Sequence, residues 1–510
     1  MRDIMVKTCV LFIALFLVTP QGALRADQFG DMFDPDHVLV KFKELPSRKE
    51  LNNFAVSQGL RLDRAIPRID VFRLRISGGQ GVRNVLARLV ADGRVEFAEP
   101  DYIRLPTYDP NDPLFQFQWD MTLMGLPSCW DVEKGQSSVI IAVLDTGIDL
   151  DHPDHINQLW ENSDEIPGNG IDDDGNGYTD DFNGYDFAGD GLFPLPGAED
   201  PIPDDTDVFI GHGTHVSGTI GAEQDNFQGI SGEAPGTKLM AVRVLGGLLG
   251  FGYSSDICEG IVYATDNGAS VINMSLGGTA KSLTEYNTLK YAWDHNVFIA
   301  AAAGNDGNAG NPISYPAAYV FAMSVGATDS FDTIASFSTH NEFVEISAPG
   351  VEILSTVRGG GYESSDWSGT SMATPHVAGL AALLYSMYSD IENWQVRWML
   401  QSGVIDRGIP GWDEFYGFGR ADCGEVIGTL PPSNEVLRII APPEGVQFAP
   451  KALIALLWNP VEGASRYRIT AGLPGGGTRS INTLNTYYTV PPVQPVPAGT
   501  YDVTVEALDA

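Results

Sequence analysis

A chain of 510 residues is longer than one hydrophobic core usually grows, so two to four domains are expected. Its 66 acidic residues against 30 basic ones give a formal net charge of -36. That balance argues against nucleic acid and anionic membranes as partners and suits a protein that binds cations.

At the N-terminus, Arg2 and Lys7 precede an apolar run over residues 9–18 that is too short to span a bilayer. Residues 1–26 therefore read as a secretory signal, cut after Ala23 or Ala26, and the protein is expected to be secreted with no transmembrane segment. Residues 27–107 form a separate unit. Val38, Val40 and Phe42 alternate as a strand, 48–57 has a helical pattern, Phe72, Leu74 and Ile76 alternate again, and 82–90 is helical before Val95-Glu96-Phe97. This order predicts a small α+β fold of ferredoxin-like type, with helices on one face of an antiparallel sheet. Acidic and basic residues nearly balance there, so the excess negative charge lies beyond it.

Residues 108–432 alternate apolar strands with helices, as parallel α/β sheets do, with buried strands at 139–144, 239–244, 271–274 and 297–302. Asp145 and Asn305 fall at carboxyl ends of these strands, where functional groups of such sheets gather. The stretch Leu430-Pro431-Pro432-Ser433-Asn434 reads as a linker to a β-rich tail, 433–510, with strands at 452–458, 466–470 and 500–507. Once a signal is removed, Cys129, Cys258 and Cys423 remain. One disulfide with a free thiol and three free thiols are both open.

Three motifs carry chemistry. Val143-Leu144-Asp145-Thr146-Gly147 ends a buried strand in a carboxylate, and Gly211-His212-Gly213-Thr214-His215 supplies an imidazole. Gly369-Thr370-Ser371-Met372-Ala373-Thr374-Pro375-His376 sets a serine where a loop turns into a helix. Val377, Leu380, Ala381, Leu384 and Met387 give that helix a core face, and the residues between them are apolar too, so it is expected to be buried. Pro375 fits its first turn. A helix N-terminus would stabilise negative charge on a reacting oxygen beside Ser371, although a capping serine also fits. A serine hydroxyl needs a base and a third group that orients the base, and His212 and Asp145 supply that set. A zinc site at His212 and His215 lacks the accompanying ligand pattern, and both His215 and His376 read as structural.

The chain order Asp145, His212, Ser371 and the wording of the three motifs resemble the subtilisin-like serine proteases over residues 108–428. The resemblance implies a three-layer α/β/α fold around a seven-stranded parallel sheet, and a secreted serine endopeptidase that cleaves proteins or peptides. It gives Asp145, His212 and Ser371 the roles of the triad and assigns Asn305 to the oxyanion hole with the Ser371 N–H. Ser275-Leu276-Gly277-Gly278 and Gly250-Phe251-Gly252 match its substrate-binding strands, where glycine allows close backbone approach. Residues 27–107 look like its inhibitory propeptide, released by self-cleavage between about residues 103 and 109. The tail resembles a fibronectin type III sandwich in Trp458, Tyr467 and Tyr501, short of a final strand. A rival reading is an inactive binding protein that kept the scaffold and adheres through its tail; the intact Asp145, His212, Ser371 and Asn305 argue against it.

No lysine or arginine occurs between Gly135 and Thr237, while acidic residues crowd 161–207. Asp172, Asp174, Asn176, Gly177 and Asp180 follow positions 1, 3, 5, 6 and 9 of a calcium loop, with Asn183 at position 12 in place of glutamate. Asp112 and Asp154 match calcium-ligand positions by the resemblance. Structural calcium is expected, with no organic cofactor, in a monomer.

Overall fold

A computed structural model describes residues 25–26, 32–76, 81–102, 109–189, 199–205, 211–247, 250–443, 446, 454–473, 477–490 and 501–508. The expected signal segment up to residue 24 and the expected cleavage stretch over 103–108 lie outside these residues. The chain divides between residues 107 and 108 into two compact units.

The N-terminal unit runs β1 (Arg25–Ala26), β2 (Met32–Phe42), α1 (Arg48–Ser57), β3 (Leu60–Ile66), β4 (Val71–Ile76), α2 (Val82–Val90) and β5 (Val95–Tyr102). Its long strands lie in the order β5-β2-β4-β3, all antiparallel, which is the ferredoxin-like split βαβ arrangement. Val38 and Val40 of β2 meet Phe54 of α1 and Val85 and Leu89 of α2 in one core. β3 is an addition to the expected elements. A register shift between Leu62 and Arg64 interrupts its alternation, so the period of two that marks a strand is broken in the sequence.

The second unit opens with two short helices, α3 (Trp119–Leu123) and α4 (Leu126–Trp130), before β6 (Ile140–Asp145) and β7 (Gly184–Asp186). Then come α5 (His212–Gly221), β8 (Lys238–Arg243), α6 (Ser254–Asp266), β9 (Val271–Met274), α7 (Leu283–Asp294) and β10 (Phe298–Ala302). β11 (Met323–Thr328), β12 (Val344–Pro349), the hairpin β13 (Ser355–Val357) and β14 (Gly361–Glu363), and the long helix α8 (Thr370–Met387) follow. The unit's α/β part closes with α9 (Asn393–Ser402), β15 (Val404–Ile405), β16 (Arg420–Ala421) and α10 (Cys423–Gly428). The sheet order is β15-β16-β12-β11-β10-β9-β6-β8-β7, parallel except for the β15–β16 pair. The implied seven strands are present, and β15 and β16, two residues each, extend the edge beyond β12.

β6 shows why the unit is three-layered. Ile141 and Val143 face a core shared with α5 and α8, whereas Ala142 and Leu144 face a second core shared with α6 and α7. A strand buried on both faces must be apolar throughout. Successive connections place β8 on one side of β6 and β9 on the other, which opens a crevice at its carboxyl end. A disulfide joins Cys129 of α4 to Cys423 of α10, and Cys258 of α6 is a buried free thiol, which decides between the two cysteine alternatives.

The tail comprises β17 (Ile439–Ala441), β18 (Ala455–Trp458), β19 (Arg466–Gly472), β20 (Thr478–Thr483), β21 (Tyr487–Thr489) and β22 (Val503–Leu508), in two three-stranded sheets. Trp458, Tyr467, Ile469 and Val505 pack between them. Ile440, Ala441 and Leu457 belong instead to the core beneath α6 and α7, so the tail is built onto the α/β unit. Among the described residues no helix is long and apolar enough to cross a membrane.

Candidate active site

Asp145 is the last residue of β6 and is fully buried. Its Oδ1 accepts the Thr146 N–H at 2.8 Å and lies 2.7 Å from His212 Nδ1. That bond places the imidazole proton on Nδ1 and leaves Nε2 to accept another. His212 opens α5, and the helix can start this close to the strand end only because Gly213 has no side chain: a Cβ there would stand 2.1 Å from the Gly147 carbonyl oxygen. Burial pulls the His212 pKa down. The charge and hydrogen bond of Asp145, with the charge of Asp205, outweigh it and hold the imidazole above its ordinary value.

Ser371 is the second residue of α8. Its hydroxyl donates to the Ser275 carbonyl at 3.1 Å, while the Ser275 hydroxyl donates to the Ser371 carbonyl at 2.8 Å. Pro375 explains the second bond. It lies inside α8, not in the expected first turn, and lacks the N–H that would have served the carbonyl four residues back, that of Ser371. Ser275 supplies the missing donor. Trp367, four residues before Ser371, stacks on His215 at 4.2 Å and has its ring 6.3 Å from that of His212.

Asn305 follows β10 and sits beside the start of α8. Its Oδ1 accepts the Thr370 N–H at 2.8 Å and the Thr370 hydroxyl at 3.0 Å, which fixes the amide and leaves Nδ2 as its donor. Asn305 and Ser371 line a cleft of about 230 Å³ with Leu276, Gly277, Gly304 and Ser314. Gly304 has φ +107°, and a Cβ there would meet Thr339 Oγ1 at 2.9 Å. The structure thus brings Asp145 to His212, and Ser371, Asn305, Leu276 and Gly277 to one cleft. Ser275 holds the Ser371 backbone. Gly250 and Gly252 are not among the residues lining that cleft; they flank Phe251, whose backbone N–H and carbonyl pair with those of Gly246. His215 Nε2 meets the Ile353 carbonyl at 2.9 Å and His376 Nδ1 meets buried Glu233 at 2.6 Å, so both histidines are engaged in packing.

The acidic residues form two groups. Asp112 accepts the N–H groups of Asp225 and Asn226, and Asp154 accepts from the Asn226 amide and the Ile230 N–H. Burial pushes the Asp112 carboxyl up to about 6; those backbone N–H groups oppose it, and the charges of Asp225 and Asp154 add to it. In the second group, oxygens of Glu165, Asp172 and Asp174 lie within 4.8 Å of one another. Asn176 donates its amide to Asp174 and Asp181. Asp180 is turned to the N–H groups of Asn169 and Gly170. Glu165 is missing from the sequence-based ligand set because a twelve-residue loop template looks only forward from Asp172. Its signal was its place in an acidic stretch without cations.

Comparisons with known proteins identify the family. The Subtilase family model matches residues 136–419, and the Fervidolysin N-terminal prodomain model matches residues 21–101. Thermophilic serine proteinase of Bacillus sp. (strain AK1) is 36% identical over 398 residues, covering 76% of this chain and 86% of that protein. Thermitase of Thermoactinomyces vulgaris is 38% identical over 326 residues, covering 63% and 99%. Fervidolysin of Fervidobacterium pennivorans is 29% identical over 465 residues, covering 80% and 61%. Among solved structures, a protease from Pseudoalteromonas arctica has a TM-score of 0.51 at 30% identity, covering 62% of this chain and 98% of that one.

Proposed function

Because the chain belongs to the subtilase family, we propose that Ser371 is its nucleophile, His212 its general base, Asp145 the carboxylate that orients the base, and Asn305 an oxyanion donor. The protein is a serine-type endopeptidase with an N-terminal prodomain, and peptides are its substrates. In the proposed cycle the Ser371 hydroxyl turns from the Ser275 carbonyl toward His212 Nε2 and gives up its proton as Oγ attacks the scissile carbonyl. Asn305 Nδ2 and the Ser371 N–H receive the charge that develops on the carbonyl oxygen. His212 returns the proton to the leaving amine, and water, activated by the same imidazole, releases the acyl group. Asp145 stabilises the transient imidazolium. The observation that most supports this reading is the 2.7 Å contact of His212 Nδ1 with the buried Asp145 carboxylate at the carboxyl end of β6, the same end of the sheet at which Ser275, just past β9, holds Ser371.

On this reading Leu276 and Gly277 receive the extended peptide, and Gly250 and Gly252 form a second wall. Residues 27–107 inhibit the domain of 108–432 until self-cleavage between about residues 103 and 109, and the tail of 433–510 is a fibronectin type III-like module. The enzyme is secreted and acts as a monomer. The hard, all-oxygen donors of Glu165, Asp172 and Asp174, and of Asp112 with Asp154, fit calcium as a structural ion. Asn176 and Asp180 complete the loop of Asp172 and Asp174 as backbone-ordering residues. Treatment with a fluorophosphonate tests the central claim: the wild type should be labelled on Ser371, while Ser371→Ala should take no label and accumulate unprocessed. Maturation of Ser371→Ala in a host without other proteases would remove self-cleavage from the proposal.

A further inference from the structure

The segment before α5 buries a carboxylate, Asp205, for which the triad chemistry has no use. Its Oδ2 accepts the Thr214 N–H at 3.2 Å and the Thr214 hydroxyl at 2.7 Å. Thr214 is the third residue of α5, two past His212, and the N-cap residue Gly211 has no side chain with which to satisfy the first turn. Asp205 therefore caps this helix from outside, while Thr146 Oγ1 takes the Gly213 N–H at 2.9 Å.

The same residue also reaches the strand side. The Asp205 N–H donates to the Ile148 carbonyl at 3.2 Å. The Thr214 hydroxyl, its proton given to Asp205, accepts the Asp149 N–H at 3.0 Å. Asp205 thus ties the first turn of α5 to the chain leaving β6, the two elements whose meeting brings His212 to Asp145. Its other oxygen, Oδ1, is buried with no hydrogen-bond partner among the described residues, a costly arrangement that capping alone does not call for.

We propose that Asp205 is a positioning residue for the imidazole of His212: through Thr214 it sets the stance of the base against Asp145, and through its charge it favours the protonated base. This rests on the assignment of His212 as general base. Burial pushes the Asp205 carboxyl up to about 7; the bonds from Thr214 and the charge of Arg358 oppose that, and the charge of Asp145 adds to it. Among the described residues, the charged or titratable groups facing the pair are Asp145 on β6, Arg358 just after β13, and His215 on α5 itself. Neighbouring Asp204 faces Asp149, Asp151, Arg358 and Arg243.

The two roles separate by substitution. Asp205→Asn keeps an acceptor for Thr214 and removes the charge. Asp205→Ala and Thr214→Val remove the tie, and Thr214→Ser restores the hydroxyl. On the matured enzyme, with active sites counted by fluorophosphonate, Asp205→Asn should move the acid limb of kcat/KM down by about half a pH unit, since loss of a nearby anion weakens the imidazolium. Asp205→Ala and Thr214→Val should lower kcat about 10- to 100-fold with little change in KM, and Thr214→Ser should recover most of it. An unmoved acid limb in Asp205→Asn, or kcat within twofold of wild type in both Asp205→Ala and Thr214→Val, would overturn the proposal. Should Asp205→Ala not fold, Asp205→Asn and the two Thr214 variants decide. Failure of the wild type itself to be labelled or to cut peptides would instead strike the assignment of His212, before any Asp205 variant is made.

Discussion

One end of the Asn305 amide is already committed, to the N–H and hydroxyl of Thr370, so only Nδ2 remains to meet a developing charge. Asn305→Ala is therefore expected to lower kcat by about 10²–10³ with a small effect on KM, a magnitude known from subtilisin of the same family. Steady-state kinetics at saturating peptide check this. His212 must be neutral to accept the Ser371 proton, and it is held above its ordinary value of 6.5. Activity should accordingly fall as pH drops through a value higher than 6.5, and a kcat/KM profile locates that limb. The positions of Asp145, His212, Ser371 and Asn305 at or near element ends were legible in the sequence, because a local run of small and apolar residues marks each boundary. Glu165 and Asp205 were not. Their partners, Asp172 to Asp174 and Thr214, are set by the folding of irregular segments, and no periodicity reports such a meeting.

At the scale of elements, the parallel strands were readable wherever both faces are buried, as in β6, where an unbroken apolar run signals two cores at once. β3 was hidden by its bulge, and the start of α8 by Pro375. A proline inside a helix normally leaves the carbonyl four residues back without its donor, and that the Ser275 side chain fills this place depends on a contact between residues 96 apart, which no local pattern reports. Ser275 is buried, and its hydroxyl also accepts from the Asn273 amide at 3.0 Å. Ser275→Ala should cost about 1–3 kcal/mol, because it strands the Ser371 carbonyl away from water. Urea unfolding of an inhibitor-blocked enzyme measures it. The same variant should lose activity beyond its loss of stability, since the freed carbonyl belongs to the residue that attacks.

For the molecule as a whole, the charge imbalance read from composition becomes local: the carboxylates of 161–207 lie in a stretch without a single lysine or arginine. Glu165, Asp172 and Asp174 repel one another unless a cation or solvent intervenes. Excess chelator should thus lower the melting temperature of the mature enzyme, and added calcium should restore it; an unchanged melting temperature would dismiss the structural ion. The extent to which the tail joins the α/β unit was not legible. Ile440 and Leu457 look like ordinary strand residues, and only the fold shows that they fill a core begun by α6 and α7.

The Cys129–Cys423 bond spans 294 residues and so encircles the sheet, the cleft and every residue assigned to catalysis. A protease is exposed to copies of itself, and loop tips are where such cuts fall. A single break anywhere inside that ring leaves two fragments still tethered. Damaged molecules would then migrate as intact ones on an oxidising gel and separate only after a reductant is added, so ageing of this enzyme is hidden from any assay of size that spares the sulfurs.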